Sequence, residues 1–221
     1  WSKLCRAIQI AAKEGGGNAD MNLKLQNAID DARAESVPSV NIERSIKRGT
    51  GELEGVSYEQ VTYEGYGPGG TAFLIEALTD NKNRSAAEMR KAFENSNGNL
   101  GGAGSVAFMF QRRGLLTIPV SAAGEDQMMN DVLESGAENM ETAGEMYEIT
   151  TAVADFENVK KALGKKYKIA TTEIAMLPKD RLKVDEETGR KIMNLMEVLD
   201  DSEDVQKVYF NFELPEALLK S

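Results

Sequence analysis

The sequence contains no histidine and only one cysteine, Cys5, among its 221 residues. The absence of histidine excludes Ser-His-Asp and Cys-His nucleophile systems and the zinc sites that use histidine ligands. A single cysteine can form neither an internal disulfide nor a Cys-x-x-Cys pair, so the composition fits a reducing compartment. General acid–base chemistry would then require carboxylates, lysine or tyrosine. With the motifs considered below, we predict no catalytic residue, no metal site and no cofactor.

Long hydrophobic runs are also missing. No segment approaches the roughly 20 apolar residues that a transmembrane helix requires, and the sequence shows no secretory signal pattern. With 41% hydrophobic and 28% charged residues, the composition is that of a globular protein. We expect a soluble, cytoplasmic protein without membrane contact, and the length favours two or three domains.

Positive charge is scarce and unevenly distributed. The formal net charge of −10 argues against a strongly basic nucleic-acid binder. Residues 1–50 nevertheless carry 8 basic and 6 acidic side chains, whereas residues 122–178 carry 5 basic and 11 acidic ones. Such asymmetry can orient a protein on a polyanion with its acidic part held away. The alternative is that the charge serves only solubility.

Three amphipathic helices are predicted at the N-terminus, over residues 2–14, 20–37 and 39–48. Their apolar residues recur at helical spacing: Leu4, Ile8, Ala11, Leu23, Leu25, Ala28, Ile29, Ala32, Ile42 and Ile46. Pro38 disfavours a helical conformation at the preceding residue and separates the second helix from the third. The pattern predicts an N-terminal helical domain over residues 1–56.

From residue 58 onward, strand patterns and helix patterns alternate. Tyr58–Tyr66 and Thr71–Leu78 are predicted strands joined by a glycine turn. Val106–Gln111 and Leu115–Val120 are predicted to form a hairpin around Arg112-Arg113-Gly114. Residues 125–176 follow a helix–strand–strand–helix–strand order that resembles a ferredoxin-like unit. The predicted fold class is α+β, with domain boundaries near residues 56, 121 and 179.

Two glycine clusters and one polar run bear on nucleotide binding. Gly65–Gly70 has the letters G-x-G-x-x-G, but a predicted strand follows it, which favours a turn over a dinucleotide site. Gly98–Ser105 lacks the lysine of a P-loop, so a flexible connection and backbone N–H groups for phosphates both remain open. Helix capping and turn formation explain Thr79–Arg84, and phosphate contact by Lys82 and Arg84 would add to that role.

Two acidic runs raise the alternative of a carboxylate enzyme. Asp185-Glu186-Glu187 fits the start of a helix, where negative charge is favourable. Residues 200–204 fit a polar loop, and neither run has metal-ligand spacing. An enzyme that combines a carboxylate with the glycine loops therefore has little support in the residues.

Basic side chains supply the candidate nucleic-acid-binding residues. Arg44, Lys47 and Arg48 stand at positions i, i+3 and i+4 of the third helix, so they share one surface. The stretch from Tyr63 to Gly114, rich in glycine, asparagine and arginine, is expected to present further cations. The full candidate set is Lys3, Arg6, Lys13, Arg44, Lys47, Arg48, Lys82, Arg84, Lys91, Arg112 and Arg113. A merely solvated charged surface is the alternative interpretation.

Several motifs, in this order, resemble the YebC family. They are Ala12-Lys13-Glu14-Gly15-Gly16, the Pro38–Gly51 segment containing Asn41-Ile42-Glu43-Arg44, Tyr63–Gly70, Leu78–Arg84, Asn99-Leu100-Gly101 with Gly104-Ser105-Val106, and Glu173-x-x-Met176-x-Pro178. Together they extend over essentially the whole chain. Two features depart from the family pattern: Asn97-Gly98 stands where the family usually has Gly-Gly, and a basic segment usual before Trp1 is absent from this sequence.

The resemblance implies a three-domain architecture in which the third domain is inserted in the second. Domain II then comprises residues 57–121 and 179–221, and an acidic domain III comprises residues 122–178. The resemblance also implies a probable transcriptional regulator that binds DNA without catalysis. The alternative is a translation factor that acts on the ribosome through ribosomal RNA. A further alternative is a scaffold that captures a protein partner through domain III.

Overall fold

A computed structural model describes residues 1–219 and divides them into two compact units. The outer unit combines residues 1–107 with the segment that begins at Arg181, and the inserted unit is Phe108–Asp180. The fold is α+β, as predicted, with N-terminal helices followed by two four-stranded antiparallel sheets and a short parallel pair of strands. Within residues 1–219, no helix combines the length and apolar character needed to cross a membrane.

Three helices begin the outer unit: α1 (Ser2–Gly15), α2 (Leu23–Ala34) and α3 (Ser39–Gly49). A short 3-10 turn, Ala19–Met21, precedes α2. The three helices pack around a core that includes the predicted apolar residues: Leu4, Ile8, Ala11, Leu25, Ala28, Ile29, Ala32, Ile42 and Ile46. Leu23 is the exception and is 67% exposed, because Asn22 caps α2 and Leu23 is only its first residue.

The first half of the outer unit's sheet follows these helices. Strands β1 (Glu59–Tyr66) and β2 (Ala72–Thr79) form an antiparallel hairpin, as predicted, and a 3-10 turn at Pro68–Gly70 lies in their connection. Helix α4 (Lys82–Asn95) and the short strand β3 (Asn99–Leu100) follow. After β3 the chain crosses to the inserted unit through a 3-10 turn, Ala107–Met109.

The inserted unit contains one long first strand, and the predicted hairpin around Gly114 is wrong. Its elements are β4 (Phe110–Pro119), a 3-10 turn (Val120–Ala122), α5 (Glu125–Ser135), β5 (Asn139–Ala143), β6 (Met146–Thr151), α6 (Phe156–Gly164) and β7 (Thr171–Pro178). The antiparallel sheet has the order β5-β6-β4-β7. This β-α-β-β-α-β order completes a ferredoxin-like unit.

The pairing of strand β4 places the boundary between the two sheet domains earlier in the chain than the predicted position near residue 121. The sequence places residues up to 121 in domain II, but β4 pairs along its length with β6 and β7. The cross-strand hydrogen bonds therefore hold β4 in the inserted unit, whose limits are Phe108 and Asp180.

The chain then returns to complete the outer unit. The remaining elements are β8 (Leu182–Lys183), α7 (Glu186–Asp201), β9 (Val205–Phe210), β10 (Phe212–Glu213) and α8 (Glu216–Leu219). Strand β9 joins the first sheet, whose order is β3-β1-β2-β9. The core of this sheet domain includes Phe73 and Phe93, which meet edge to face at 5.7 Å, together with Ile192 and Leu195 of α7.

Candidate nucleic-acid interface

Among the candidate basic residues, those on the solvent-exposed side of α3 are the most accessible to a ligand. Ile42 and Ser45 are buried against the rest of the helical domain, which leaves Arg44, Lys47 and Arg48 exposed on the other side. We call these three residues the α3 triad. Within residues 1–219 none of the three makes an ion pair or side-chain hydrogen bond. Lys47 and Arg48 also lie in the last helical turn, where positive charge stabilises the helix.

Arg6 and Arg84 are engaged in a different role. Arg6 of α1 donates to Asp204 Oδ1 at 2.6 Å, and Arg84 of α4 donates to Asp204 Oδ2 at 2.8 Å. The Asp204 side chain is only 4% exposed. Arg6 also pairs with Glu203 at 2.8 Å, so the two arginines connect α1 and α4 to the start of β9. Their charge is largely compensated inside the outer unit.

The carboxylate of Asp204 is kept ionised by these contacts. Burial by itself would raise the pKa of Asp204, but hydrogen bonds from Thr79, Arg84 and Arg6 outweigh it and leave the pKa below its usual value. The sequence predicts a polar loop for residues 200–204, and nothing in a single acidic run distinguishes its one buried member. The ion pair of Asp204 was therefore missed.

Three other candidate lysines have partners within the outer unit. Lys3 donates to the carbonyl oxygen of Asp200 at 2.6 Å, and Lys13 donates to Ser57 Oγ at 2.9 Å. Lys82 lies 2.6 Å from Glu59 Oε2 in a solvent-exposed pair. Exposed pairs contribute roughly 0–1 kcal/mol to stability, so these lysines can exchange partners at little cost.

The remaining candidates are divided between the two units. Lys91 is exposed on α4 of the outer unit, and Arg112 is exposed on β4 of the inserted unit. Neither side chain has an ion pair or hydrogen bond among residues 1–219. Arg113 instead donates to Glu138 Oε1 and to Gln111 Oε1, both at 2.9 Å. The structure thus groups the α3 triad and leaves the other candidates dispersed.

The second glycine cluster is organised around a buried carboxylate, Glu64. Its oxygens accept hydrogen bonds from the backbone N–H groups of Gly104 at 2.7 Å and of Val106 and Ala107 at 2.8 Å. The carbonyl oxygen of Glu64 accepts a fourth, from Gly101 at 2.7 Å. Three of these N–H groups are therefore occupied by an internal carboxylate and the fourth by a backbone carbonyl. Neither a flexible connection nor a phosphate-binding loop describes the segment.

The ionisation of Glu64 follows from the same contacts. Burial would raise its pKa, but the three backbone N–H donors lower the pKa below the usual value. A buried role for Glu64 was not predicted, because an acidic residue in a predicted strand is ordinarily solvent-exposed. In the sequence Glu64 is distinguished only by its position between Tyr63 and Gly65, and the structure buries all three residues.

The first glycine cluster is a turn between strands, as predicted. Gly67 N donates to Thr71 O at 2.7 Å, and Gly69 and Gly70 have positive φ angles of 70° and 75°. A Cβ atom on Gly69 would lie 2.8 Å from Thr188 Cγ2 of α7, so the turn also packs closely on that helix. Because a strand follows the turn, the arrangement required for a dinucleotide site is not formed.

Helix capping explains the polar run Thr79–Arg84 and the first acidic run, Asp185-Glu186-Glu187. Asn81 Oδ1 accepts from Arg84 N at 3.1 Å at the start of α4, and Asp185 Oδ1 accepts from Thr188 N at 2.7 Å at the start of α7. The Thr188 backbone hydrogen bond lowers the pKa of Asp185. Among residues 1–219, no group of three or more acidic or cysteine side chains is arranged to hold a metal ion.

Comparison with known proteins identifies the family. A family model described as the TACO1/YebC protein N-terminal domain matches residues 1–52, and one described as the TACO1/YebC second and third domain matches residues 58–212. A crystal structure of a conserved hypothetical protein from Aquifex aeolicus is similar, with a TM-score of 0.86 at 40% identity. The similarity covers 100% of this chain and 91% of that one.

Curated relatives are similar over nearly their whole length. A protein of Dictyoglomus turgidum is 47% identical over 223 residues, which covers 100% of this chain and 90% of the relative. A protein of Desulfosudis oleivorans is 47% identical over 219 residues, which covers 99% of this chain and 89% of the relative. Both relatives are named probable transcriptional regulatory protein. The resemblance seen in the motifs is confirmed, and the chain belongs to the TACO1/YebC family.

Proposed function

We propose that this protein is a cytoplasmic regulator of gene expression that binds nucleic acid through the α3 triad and catalyses no reaction. The observation that carries the proposal is the exposure of Arg44, Lys47 and Arg48, which have no ion-pair partner within residues 1–219. The name that the relatives share, probable transcriptional regulatory protein, supports a regulatory role.

The chemistry of the α3 triad suits a phosphate backbone. Its three side chains are neighbours on one helix surface, and guanidinium groups can bind phosphate oxygens in a bidentate manner. Because the chain as a whole has a net charge of −10, a polyanion is attracted locally and not by the overall charge. Phosphate contacts position a protein but carry no sequence information, so the triad is expected to fix the register of binding.

Duplex DNA is the leading ligand class, and ribosomal RNA is the alternative. Both ligands offer phosphates to the same side chains, so the triad does not separate a transcriptional regulator from a translation factor. The acidic stretch 122–178, with 11 acidic and 5 basic residues, supports the further alternative of a protein-binding scaffold. A chain without the inserted unit would then lose protein capture and keep nucleic-acid binding.

Charge removal at the α3 triad tests the proposal. The variant Arg44→Gln/Lys47→Gln/Arg48→Gln is compared with Lys161→Gln/Lys165→Gln/Lys168→Gln, which removes the same charge from exposed lysines of the inserted unit. Binding is measured by fluorescence anisotropy with duplex DNA and by cosedimentation with ribosomes, each over a range of salt concentrations.

We expect the α3 variant to bind more weakly and with less salt dependence. Loss of three phosphate contacts reduces the slope of log affinity against log salt by about 2–3, and the lysine control leaves it unchanged. The ligand whose binding responds to the α3 variant identifies DNA or ribosomal RNA as the target. Equal affinities and slopes for wild type and α3 variant, with both ligands, would overturn the proposal.

A further inference from the structure

A second candidate site lies in a cleft between the helical domain and the sheet of the outer unit. The cleft has a volume of about 330 Å³ and is lined by α1 and α2 on one side and by β1, β2 and β9 on the other. Its walls include the small or aliphatic side chains Ala7, Ile10, Ala28 and Leu78. Ligand sites form preferentially at such interfaces between domains, where apolar walls surround a few polar groups.

A β-bulge places Gln206 at this cleft. In the pairing of β2 with β9, Glu76 lies opposite Lys207 and Ala77 lies opposite Val205, so Gln206 is an extra residue in β9. Bulges change the direction of a side chain and are frequent next to functional sites. Gln206 lines the cleft, and its Nε2 atom is buried without a hydrogen-bond partner within residues 1–219. A buried amide nitrogen without a partner is unfavourable unless a ligand or water accepts from it.

The other polar groups of the cleft are carboxamides and charged side chains of both signs. Asn27 and Gln60 contribute two further carboxamides. The charged lining residues are two acids, Asp31 and Glu76, and two bases, Lys24 and Lys207, so their formal charges cancel. A lining without net charge does not select a phosphate or another ion. It favours a neutral ligand that both donates and accepts hydrogen bonds.

We propose that this cleft binds a nucleobase, either in a free nucleoside or as an unpaired base of a nucleic-acid strand. A carboxamide matches the adjacent donor and acceptor on the edge of a base, as asparagine and glutamine do with adenine. The small side chains of the walls leave room for a flat ring between the helices and the sheet. This site is separate from the α3 triad, because it recognises the base and the triad recognises phosphates.

Nucleoside titrations of the full chain test the assignment. Adenosine, guanosine, cytidine and uridine are added one at a time to isotope-labelled protein at about 0.5 M salt, where phosphate contacts are strongly screened. We expect saturable chemical-shift changes at the cleft residues, including the side-chain amide of Gln206. Short unpaired and fully duplex oligonucleotides of matching composition then distinguish a strand from a free nucleoside as the source of the base.

The variant Gln206→Met provides the decisive comparison, with Gln127→Met on the exposed surface of α5 as its matched control. We expect Gln206→Met to weaken nucleoside binding by about tenfold or more, because it removes the donor and acceptor that read the base. Its melting temperature should equal or exceed that of the wild type, since an unpartnered buried amide is removed, which separates lost binding from misfolding.

Two results would overturn the nucleobase assignment. One is the absence of saturable shifts with all four nucleosides, and the other is equal binding by wild type and Gln206→Met. Nucleosides carry no phosphate, so a negative result here leaves the role of the α3 triad in place. A negative salt titration of the triad likewise leaves the cleft unaffected.

Discussion

The buried carboxylate of Glu64 supplies, from within the protein, the anion that a glycine-rich loop would otherwise attract from solution. Backbone N–H groups at Gly104, Val106 and Ala107 converge on it, and the loop's shape depends on that convergence. Hydrogen bonds to a charged acceptor are stronger than neutral ones, and a buried donor left without a partner is costly. At the residue scale, the conformation of this loop therefore depends on the ionised carboxylate of Glu64.

The substitution Glu64→Gln is expected to lower the free energy of unfolding by about 2–3 kcal/mol, measured by urea denaturation. The amide keeps one acceptor oxygen but directs an N–H₂ group at backbone donors. Glu59→Gln, on the same strand, is the control, because its pair with Lys82 is exposed to solvent and exposed ion pairs contribute little to stability. Equal stabilities for the two variants would contradict the role of Glu64.

Local sequence patterns predict many of the helices and strands correctly. Helical spacing located α1, α2 and α3, and the turn chemistry of Gly65–Gly70 located the β1–β2 hairpin. The pattern failed at β4, where Arg112-Arg113-Gly114 has the letters of a turn but lies within a continuous strand. Three partners that are distant in sequence decide the outcome: β6, β7 and the helix α6.

The absence of a side chain at Gly114 allows α6 to pack closely on β4. A Cβ atom at this position would lie 2.4 Å from Phe156 Cδ2 of α6 and 2.4 Å from Thr151 Oγ1 of β6. A glycine inside a strand can therefore mark close approach as well as a turn, and sequence alone does not separate the two. The same ambiguity explains why the predicted boundary near 121 differs from the limit of the inserted unit.

We expect Gly114→Ala to destabilise the protein by about 1–3 kcal/mol, since the added methyl group overlaps two packed side chains. Gly164→Ala in α6 is the matched control. A Cβ there meets only Ile169 Cδ1 at 3.7 Å, and alanine favours the helix by up to about 1 kcal/mol. Thermal or urea unfolding of both variants decides the matter, and a neutral Gly114→Ala would refute the close-packing explanation.

On the scale of the whole molecule, the candidate cations divide into those that hold the protein together and those that remain available to a ligand. The order of predicted strands and helices was sufficient to predict the fold class, and helical spacing was sufficient to predict that Arg44, Lys47 and Arg48 share one surface. Their role in binding stays a prediction. These patterns did not separate Arg6 and Arg84 from the triad, because the partner of both, Asp204, is more than 100 residues away in sequence. An ion pair between residues so far apart in the chain produces no recognisable pattern in the local sequence.

The Asp204 contacts predict how stability depends on pH. Because the pKa of Asp204 is lowered in the folded state, its contribution is complete above its unfolded value, about 4, and is lost as the pH falls further. Asp204→Asn should cost about 2–3 kcal/mol at neutral pH, less than a fully buried pair, because Arg84 is 45% exposed.

Urea unfolding between pH 7 and about pH 3 tests this expectation. The wild type should lose stability more steeply than Asp204→Asn below about pH 4, so that the two curves converge in acid. Asp180→Asn, at an exposed position of the inserted unit, should run parallel to the wild type. If the free energies of unfolding of Asp204→Asn and the wild type depend on pH in the same way, protonation of Asp204 does not weaken its contacts with Arg6 and Arg84. That result would contradict this explanation.

Because the outer unit is built from two separate chain segments, its two parts are synthesised at different times, before and after the inserted unit. All strands of the inserted unit have been synthesised by residue 178, whereas β9 is made only at Val205–Phe210. The edge of β2 that receives β9 must therefore wait while a complete domain emerges and folds. An unpaired strand edge is prone to pair with other chains, so the nascent protein is most exposed to misassembly during this interval.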